Sequence, residues 1–216
     1  MKRVTLIDYG LSNLLSVQRA FEHFGAKVEI ARSPAAVLGA QALVLPGVGA
    51  FRDGMAGLEQ LGLTVPIRQK AAAGTPLLGI CLGMQMLFDE SEEFGRWQGL
   101  GLIPGRVVKL PERNAAGGLQ RVPQVGWNGL LPPQGKTDFA DSLLRAVRPG
   151  GEVYFVHSYE AKPARPQDRL AEVLYGGRRV CAAARSGSVT GCQFHPEKSG
   201  EVGLSIIRQF LEDGEG

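Results

Sequence analysis

The chain has 216 residues, of which 44% are hydrophobic and 21% charged, proportions typical of a globular domain with a sizeable core. The formal charge is only +3 and the 24 basic residues are scattered, which argues against nucleic-acid binding. Three cysteines at irregular spacing argue against a disulfide framework, and no apolar run is long enough to cross a bilayer. We therefore expect one cytoplasmic domain over residues 1–216, with no metal, no cofactor and no membrane contact.

The first ninety residues alternate short apolar runs with amphipathic stretches. Strands are predicted at Val4–Ile7, Lys27–Ala31, Ala42–Leu45 and Pro76–Ile80. Helices are predicted from Ser12 or Asn13 to Phe24, once or twice within Arg52–Ala73, and from Leu82 to about Asp89. Gly25, Pro46-Gly47 and Gly74 are the predicted stops. This alternation predicts a three-layer α/β fold: an open, mostly parallel sheet with helices on both faces.

The second half is dominated by strand patterns and has few helices before the last one. Strands are predicted at Val107–Leu110, Glu152–Val156, Leu170–Leu174, Val180–Ala184 and Val189–Phe194. We expect these strands to form hairpins that extend the sheet in antiparallel fashion, followed by a final helix from about Gly200 to Leu211. The turn-rich segments Pro111–Gln120 and Lys162–Asp168 are predicted to be exposed loops.

A candidate nucleophile lies where the fourth strand meets its helix. Cys81 occupies the centre of the segment Gly79–Gly83 (GICLG), which resembles the sharp strand–turn–helix elbow that presents a nucleophilic side chain in hydrolases. The flanking glycines allow a tight turn, and a helix N-terminus stabilises a thiolate. The alternative is a small buried cysteine at a strand end, which is the common fate of free cysteine. We prefer that alternative for Cys181 and Cys192, which lie within apolar strand patterns.

The candidate base closes the last predicted strand. In the segment Gln193–Glu197 (QFHPE), Pro196 favours an extended conformation for His195, and Glu197 can hold one ring nitrogen. The other nitrogen is then free to take a proton from a thiol, which is the logic of a catalytic triad. Ligands of open α/β sheets bind outside the carboxyl ends of the strands, so Cys81 and His195 are predicted to face one region. His157 is the competing base and is interpreted as structural or supporting.

These segments together resemble the class I (triad) glutamine amidotransferases. The resemblance covers essentially the whole chain and rests on GICLGMQ at 79–85 and FHPE at 194–197. Further segments resemble the glutaminase subunits that supply ammonia to a cyclase in histidine biosynthesis. They are DYG at 8–10, PGVGAF at 46–51, PQVGWN at 123–128, YFVHSY at 154–159 and QFHPEKS at 193–199.

The resemblance implies a role for each matching residue. Cys81 attacks the carboxamide of L-glutamine to form a thioester, His195 passes the proton to the leaving ammonia, and Glu197 orients His195. The implied oxyanion donors lie in the turn Gly47, Val48 and Gly49 and at the Leu82 amide, and the turn is expected to be mobile and controlled by the partner. The implied substrate-binding residues are Gln85, Glu93, Ser158 and Tyr159. The implied partner contacts are Asn13, Trp127 and Lys198.

The resemblance also implies a partner, a cyclase subunit built as a (β/α)8 barrel, in a heterodimer that uses the ammonia directly. Three alternatives remain open at this stage. The chain could serve another synthase, of the anthranilate or aminodeoxychorismate type. It could be a cysteine peptidase or γ-glutamyl hydrolase of the same architecture, or a regulatory module that has kept the fold without the activity.

Overall fold

A computed structural model describes residues 2–213 and contains a seven-stranded main sheet. The first half supplies β1 (Arg3–Ile7), β2 (Lys27–Ala31), β3 (Leu43–Gly47) and β4 (Leu77–Cys81). The helices between and after them are α1 (Leu14–Glu22), α2 (Pro34–Leu38), α3 (Phe51–Gln60), α4 (Thr64–Ala72) and α5 (Leu82–Met86). The four predicted strands are therefore confirmed, the stretch Arg52–Ala73 forms two helices, and α2 was not predicted.

The second half supplies nine strands and the last helix. The strands are β5 (Phe88–Ser91), β6 (Trp97–Gln98), β7 (Ile103–Lys109), β8 (Gln124–Gly129), β9 (Glu152–His157), β10 (Tyr159–Pro163), β11 (Arg169–Tyr175), β12 (Arg178–Ser186) and β13 (Val189–Cys192), and the helix is α6 (Gly200–Asp213). Short 3₁₀ helices cover Pro166–Asp168 and Pro196–Lys198. The main sheet has the order β11-β12-β13-β4-β3-β1-β2. The strands from β13 to β2 are parallel, and β11 and β12 are antiparallel additions at one side.

Both faces of the main sheet are covered, because alternate strand residues point into two separate cores. One core contains residues of α1 and α6, such as Phe21 and Phe210, against Leu78 and Ile80 of β4. The other contains residues of α2 to α5 against Leu77 and its neighbours. The predicted three-layer α/β class is thus confirmed, as is the antiparallel extension.

Three predictions about elements are wrong. The helix after Cys81 ends at Met86, and its predicted last residue, Asp89, lies in strand β5, since a fully buried apolar run has no period that separates helix from strand. The strands at 107–110 and 152–156 do not extend the main sheet: β7 lies in a second sheet, β10-β7-β5-β6, and β9 pairs only with β8. Segment Lys162–Asp168 is not a plain exposed loop, since it contains the end of β10 and a buried Asp168. Loop 111–120 is mostly exposed, as predicted.

Candidate active site

Cys81 stands on a strained elbow between β4 and α5. Its backbone has φ 54° and ψ −111°, a left-handed conformation that a residue with a Cβ seldom adopts. Such strain persists only where the surroundings enforce it, and it concentrates at functional sites. Here the flanking glycines permit the close backbone packing that the elbow requires. A Cβ on Gly79 would lie 2.8 Å from the Gly83 carbonyl oxygen, and one on Gly83 would lie 1.7 Å from the Leu45 carbonyl oxygen.

We expect Gly83→Ala to destabilise the fold, because backbone atoms, which cannot rotate away, occupy the space of the new methyl group. Overpacking of this kind costs about 1–3 kcal/mol of unfolding free energy, measurable by urea denaturation. The matched control is Gly39→Ala, where the nearest atom to the added Cβ is an ordinary 3.5 Å away and the change should be within about 0.5 kcal/mol. Equal stability of the two variants would contradict the close approach at Gly83.

His195 follows β13, the neighbour of β4 in the sheet, and is held by its own segment. Its Nδ1 lies 2.8 Å from Oε1 of Glu197, and both side chains are almost fully buried. The hydroxyl of Ser199 donates to the His195 carbonyl oxygen, and it accepts from the Tyr154 amide in β9. The His195 amide donates in turn to the Tyr154 carbonyl oxygen. The imidazole is therefore fixed in orientation, and its Nε2 makes no hydrogen bond to any residue of the described range 2–213.

The surroundings of His195 favour its protonated form. Burial lowers the pKa of His195, but the interactions with Cys81 and Glu197 outweigh it and raise the pKa to about 9. The imidazolium is consequently the main form at neutral pH and is lost as the pH rises through about 9. A proton is thus available at Nε2, on the side of the thiol.

We expect Glu197→Gln to lower the turnover number by about 10²–10⁴-fold, the range for loss of effective acid–base catalysis. Removal of the carboxylate also lowers the pKa of His195, so the alkaline fall in kcat/KM should move to lower pH than in the wild type. A pH–rate profile of both proteins measures this, and the limb belongs to the coupled Cys81–His195 pair. An alkaline limb that stays in place would show that Glu197 does not act on His195.

A cavity of about 400 Å³ brings most of the predicted site residues together. Its lining includes nine of them: Val48, Gly49, Cys81, Leu82, Gln85, Glu93, Ser158, Tyr159 and His195. Two more, Gly47 and Glu197, line a small adjoining void together with Asn13. The cavity is also lined by Pro123, Val156 and His157. The site is therefore a pocket at the carboxyl ends of β3, β4 and β13, as expected for ligands of a parallel sheet.

In the turn after β3, one of the three predicted oxyanion donors is already engaged. The Val48 N–H donates to the carbonyl oxygen of Leu11 at 2.9 Å, and Leu11 does not line the cavity. Gly49 lines the cavity and has φ 105°, a conformation that glycine adopts without strain. The Leu82 amide, at the first position of α5, lies next to Cys81.

Two hydrogen-bonded glutamines lie next to Cys81, and only one of them, Gln85, was predicted as a site residue and lines the cavity. The Nε2 of Gln85 donates to the Tyr159 carbonyl oxygen and to Oε1 of Gln193, each at 3.0 Å. Gln193 is fully buried, and its Nε2 lies 3.9 Å from the Cys81 sulfur. Gln193 belongs to the segment 193–199 that carries the resemblance, but no role was predicted for it from the sequence. A glutamine in a predicted buried strand, two residues before the candidate base, indicates a hydrogen-bonding role, because buried polar side chains are normally hydrogen-bonded.

Glu93 is anchored at the opposite wall. Its Oε2 accepts a 2.7 Å hydrogen bond from the Phe51 amide at the start of α3. Burial raises the pKa of Glu93, the Phe51 amide opposes the rise, and the charge of Asp53 adds to it. The carboxylate is thus preoriented at the rim, where Ser158 and Tyr159 also line the cavity.

His157 is buried and satisfied, in line with the structural interpretation. Its Nδ1 lies 2.8 Å from the Tyr159 carbonyl oxygen and its Nε2 lies 3.1 Å from Oε1 of Gln124. Burial is the main cause that lowers the pKa of His157 to about 4, partly opposed by the bond to Tyr159. A neutral ring has one N–H, which donates to the Tyr159 carbonyl oxygen, and burial opposes uptake of a second proton, so His157 supports the pocket wall and does not act as a base.

The other cysteines lie within the strands. Cys181 and Cys192 are fully buried. Burial raises the pKa of Cys181 to about 12 and raises that of Cys192 further. Both thiols are therefore inert as nucleophiles at neutral pH.

The residues predicted to contact a partner are exposed around the pocket. Trp127 is 51% exposed and packs edge-on against Tyr154, its cross-strand partner. Lys198 and Asn13 are exposed as well. Strands β8 and β9 form a two-stranded ribbon, defined here as residues 124–129 and 152–157. The exposed side chains on one face of the ribbon are Val125, Trp127 and Val156.

Neither a metal-binding cluster nor a membrane-spanning helix occurs within residues 2–213. Within this range no group of three or more histidine, cysteine, aspartate or glutamate side chains is arranged to hold a metal ion. None of the helices in the same range has the length and apolar character that crossing a membrane requires.

The fold is that of an α/β enzyme, and its pocket contains a cysteine on a strand–helix elbow beside a buried histidine. Residues 5–213 match the family Glutamine amidotransferase class-I. The chain belongs to this family and is a glutamine amidotransferase.

Curated relatives and solved structures agree with that assignment. The imidazole glycerol phosphate synthase subunit HisH 1 of Legionella pneumophila (strain Lens) is 50% identical over 98% of this chain and 100% of its own length. The subunit HisH of Geobacter sulfurreducens is 46% identical over 98% of this chain and 99% of its own length. A crystal structure of a glutamine amidotransferase, 20% identical, superposes with a TM-score of 0.73 over 98% of this chain and 99% of that one. PurLQS from Thermotoga maritima, also 20% identical, gives 0.70 over 99% of both chains. At this identity the two structures speak for the fold alone.

Proposed function

We infer that the chain is the glutaminase subunit of an imidazole glycerol phosphate synthase. The observation that carries the assignment is the convergence of Cys81 and the imidazole of His195 in one pocket, at the ends of adjacent strands. The full-length relatives at 46% and 50% identity select the particular synthase within the family.

The proposed chemistry is hydrolysis of L-glutamine through a thioester. The Cys81 sulfur attacks the side-chain carbonyl carbon, and the His195 imidazolium gives its proton to the nitrogen as the C–N bond breaks, which releases ammonia. Water then attacks the thioester with His195 as base, and glutamate leaves. Glu197 keeps the imidazole in place in both steps through its 2.8 Å contact with Nδ1.

The pocket offers suitable groups for the amino-acid end of glutamine. We assign Glu93 to the α-ammonium group, because it is the carboxylate that lines the cavity and its position is fixed by the Phe51 amide. We assign the α-carboxylate to donors of Ser158 and Tyr159, whose backbone is held by Gln85. A pocket of about 400 Å³ is of a size that suits one small ligand.

The partner in this proposal is a cyclase subunit with a (β/α)8 barrel, which forms a heterodimer with this chain. Exposed apolar side chains on the outer face of the ribbon, with Val48 at the mouth of the pocket, supply the kind of surface that an interface buries. Trp127 is the natural anchor, since tryptophan is enriched among the residues that dominate binding. Asn13 and Lys198 would add polar contacts at its edge. The ammonia would pass to the cyclase, whose products are imidazole glycerol phosphate and aminoimidazole carboxamide ribotide.

The test is glutamine-dependent product formation with the purified cyclase subunit of the same organism. We expect imidazole glycerol phosphate to form from glutamine only when both subunits are present, and from ammonium salts with the cyclase alone. Parallel assays with an anthranilate-type synthase, and with a γ-glutamyl peptide as substrate, address the two enzymatic alternatives. Ammonia transfer to the anthranilate-type synthase, or peptide cleavage without ammonia release from glutamine, would overturn the proposal.

A further inference from the structure

Tyr9, in the turn after β1, places a hydroxyl group beneath the active site without a partner. The side chain is 6% exposed, and its hydroxyl oxygen is buried with no hydrogen bond to any residue of the described range 2–213. A buried polar group without a partner is costly by about 1–3 kcal/mol. Burial is the main cause that raises the pKa of Tyr9, followed by the charges of Cys81 and Asp8. The hydroxyl is therefore a protonated donor at neutral pH.

The hydroxyl lies directly beside the oxyanion turn. A Cβ on Gly47 would lie 2.0 Å from the Tyr9 hydroxyl oxygen, so a side chain at 47 would displace it. The backbone of Gly47 is not left-handed, so glycine is needed here for space and not for an unusual backbone angle. The Tyr9 ring and backbone also pack closely against Gly57 of α3, which holds the side chain in position.

The turn after β1, which contains Tyr9, also holds the Val48 amide through the Leu11 carbonyl oxygen. The Leu11 carbonyl that accepts from Val48 belongs to a turn fixed by Asp8, whose carboxylate accepts from the Gly10 amide and from Arg32. In a trans peptide the N–H and C=O groups point in opposite directions. If the Gly47–Val48 peptide turns to aim the Val48 N–H at the pocket, the Gly47 carbonyl must turn away from the pocket. The Gly47 carbonyl oxygen then needs a new hydrogen-bond donor.

We propose that Tyr9 is a positioning residue: its hydroxyl is the donor for the Gly47 carbonyl when the Gly47–Val48 peptide turns to present the Val48 N–H to the oxyanion. The hydrogen bond from Tyr9 to Gly47 would compensate for the bond between Val48 and Leu11 that is broken. It would also give the Tyr9 hydroxyl a partner. Tyr9 would thus stabilise the competent form of the turn, while the resting form leaves it unpaired. The inference rests on the proposed glutaminase function.

The test is Tyr9→Phe, measured in the complex with the cyclase subunit of the same organism. The variant removes the hydroxyl and keeps the ring, and the matched control is Tyr175→Phe, whose hydroxyl bonds to the Arg121 carbonyl oxygen on the surface. We expect the turnover number for glutamine in the Tyr9→Phe complex to fall about five- to tenfold, the effect of one net hydrogen bond. The KM for glutamine should stay within about twofold, because the substrate-binding groups are untouched. The thermal midpoint of the free chain should not fall, because the hydroxyl has no partner there to lose.

Each outcome decides the matter. Reduced turnover with unchanged KM and midpoint supports the inference. Turnover within about twofold of wild type would overturn it, as would a lowered midpoint together with an equal loss in Tyr175→Phe, which would indicate a merely structural role. A wild-type complex that releases no ammonia from glutamine would instead remove the proposed function, and this inference with it.

Discussion

Replacement of Cys81 with alanine is expected to lower glutamine hydrolysis by about 10⁵–10⁶-fold, the size of effect seen when the nucleophile of a triad is removed. No other thiol can take its place, because Cys181 and Cys192 are fully buried within strands. Without the sulfur no thioester can form, so His195 has no covalent intermediate whose formation it can assist by proton transfer. The rate of ammonia release from glutamine, measured for wild type and Cys81→Ala in the complex with the cyclase, gives the fold-loss of activity.

The fold should survive the same substitution. The close packing at Gly79 and Gly83 does not involve the thiol, whose contacts to the Val156 carbonyl oxygen and to Gln193 are both long, at 3.9 Å. We expect circular dichroism and the unfolding midpoint to remain close to wild type. Cys181→Ala is the control and should keep nearly full activity. Loss of activity in the control at the level of Cys81→Ala, or substantial turnover in Cys81→Ala, would remove Cys81 from the role of nucleophile.

The second large effect concerns the oxyanion turn. The free chain is expected to hydrolyse glutamine about 10²–10³-fold more slowly than the complex, because one oxyanion donor is worth about that factor. In the described conformation the Val48 N–H is bonded to Leu11 and is not available to an oxyanion. Docking of the cyclase against Val48 and the ribbon would supply the free energy that turns the peptide.

Two measurements check this expectation. Steady-state rates with and without the cyclase give the activation factor. Amide hydrogen exchange of the segment 46–50 reports the turn itself, since the Val48 N–H should lose its Leu11 partner in the complex with bound substrate analogue and change its protection. A free chain as fast as the complex would show that the turn is competent without the partner.

The sequence placed Cys81 and His195 at neighbouring strand ends because these positions depend on local features. Glycines on both sides of Cys81 and a proline after His195 mark strand ends, and ends of neighbouring parallel strands meet at one edge of a sheet. The structure places both residues in the same pocket. The sequence did not reveal that Gln193 and Gln124 support residues of the pocket, because their partners, Gln85 and His157, are distant in sequence.

What could not be predicted depends on tertiary pairing. The alternation in 152–156 shows a strand but not its partner, and β9 pairs with β8 instead of joining the main sheet. The conformation of the Val48 amide is set by Leu11, a contact across two elements that no local pattern contains. The early end of α5 at Met86 has the same origin, since the next residues pair with β7 and not with their own helix.

The ribbon of β8 and β9 separates two tasks on its two faces. Phe155 and His157 point inward, to the core and to the pocket wall, while Val125 and Trp127 are exposed on the other side. Because neighbouring residues of a strand point to opposite faces, outward positions can change without a change behind them. Partner choice can therefore drift during evolution, or be redesigned, while the chemistry stays intact. A glutaminase with this architecture could be directed to a different ammonia acceptor by substitutions at a few outward-facing positions of the ribbon.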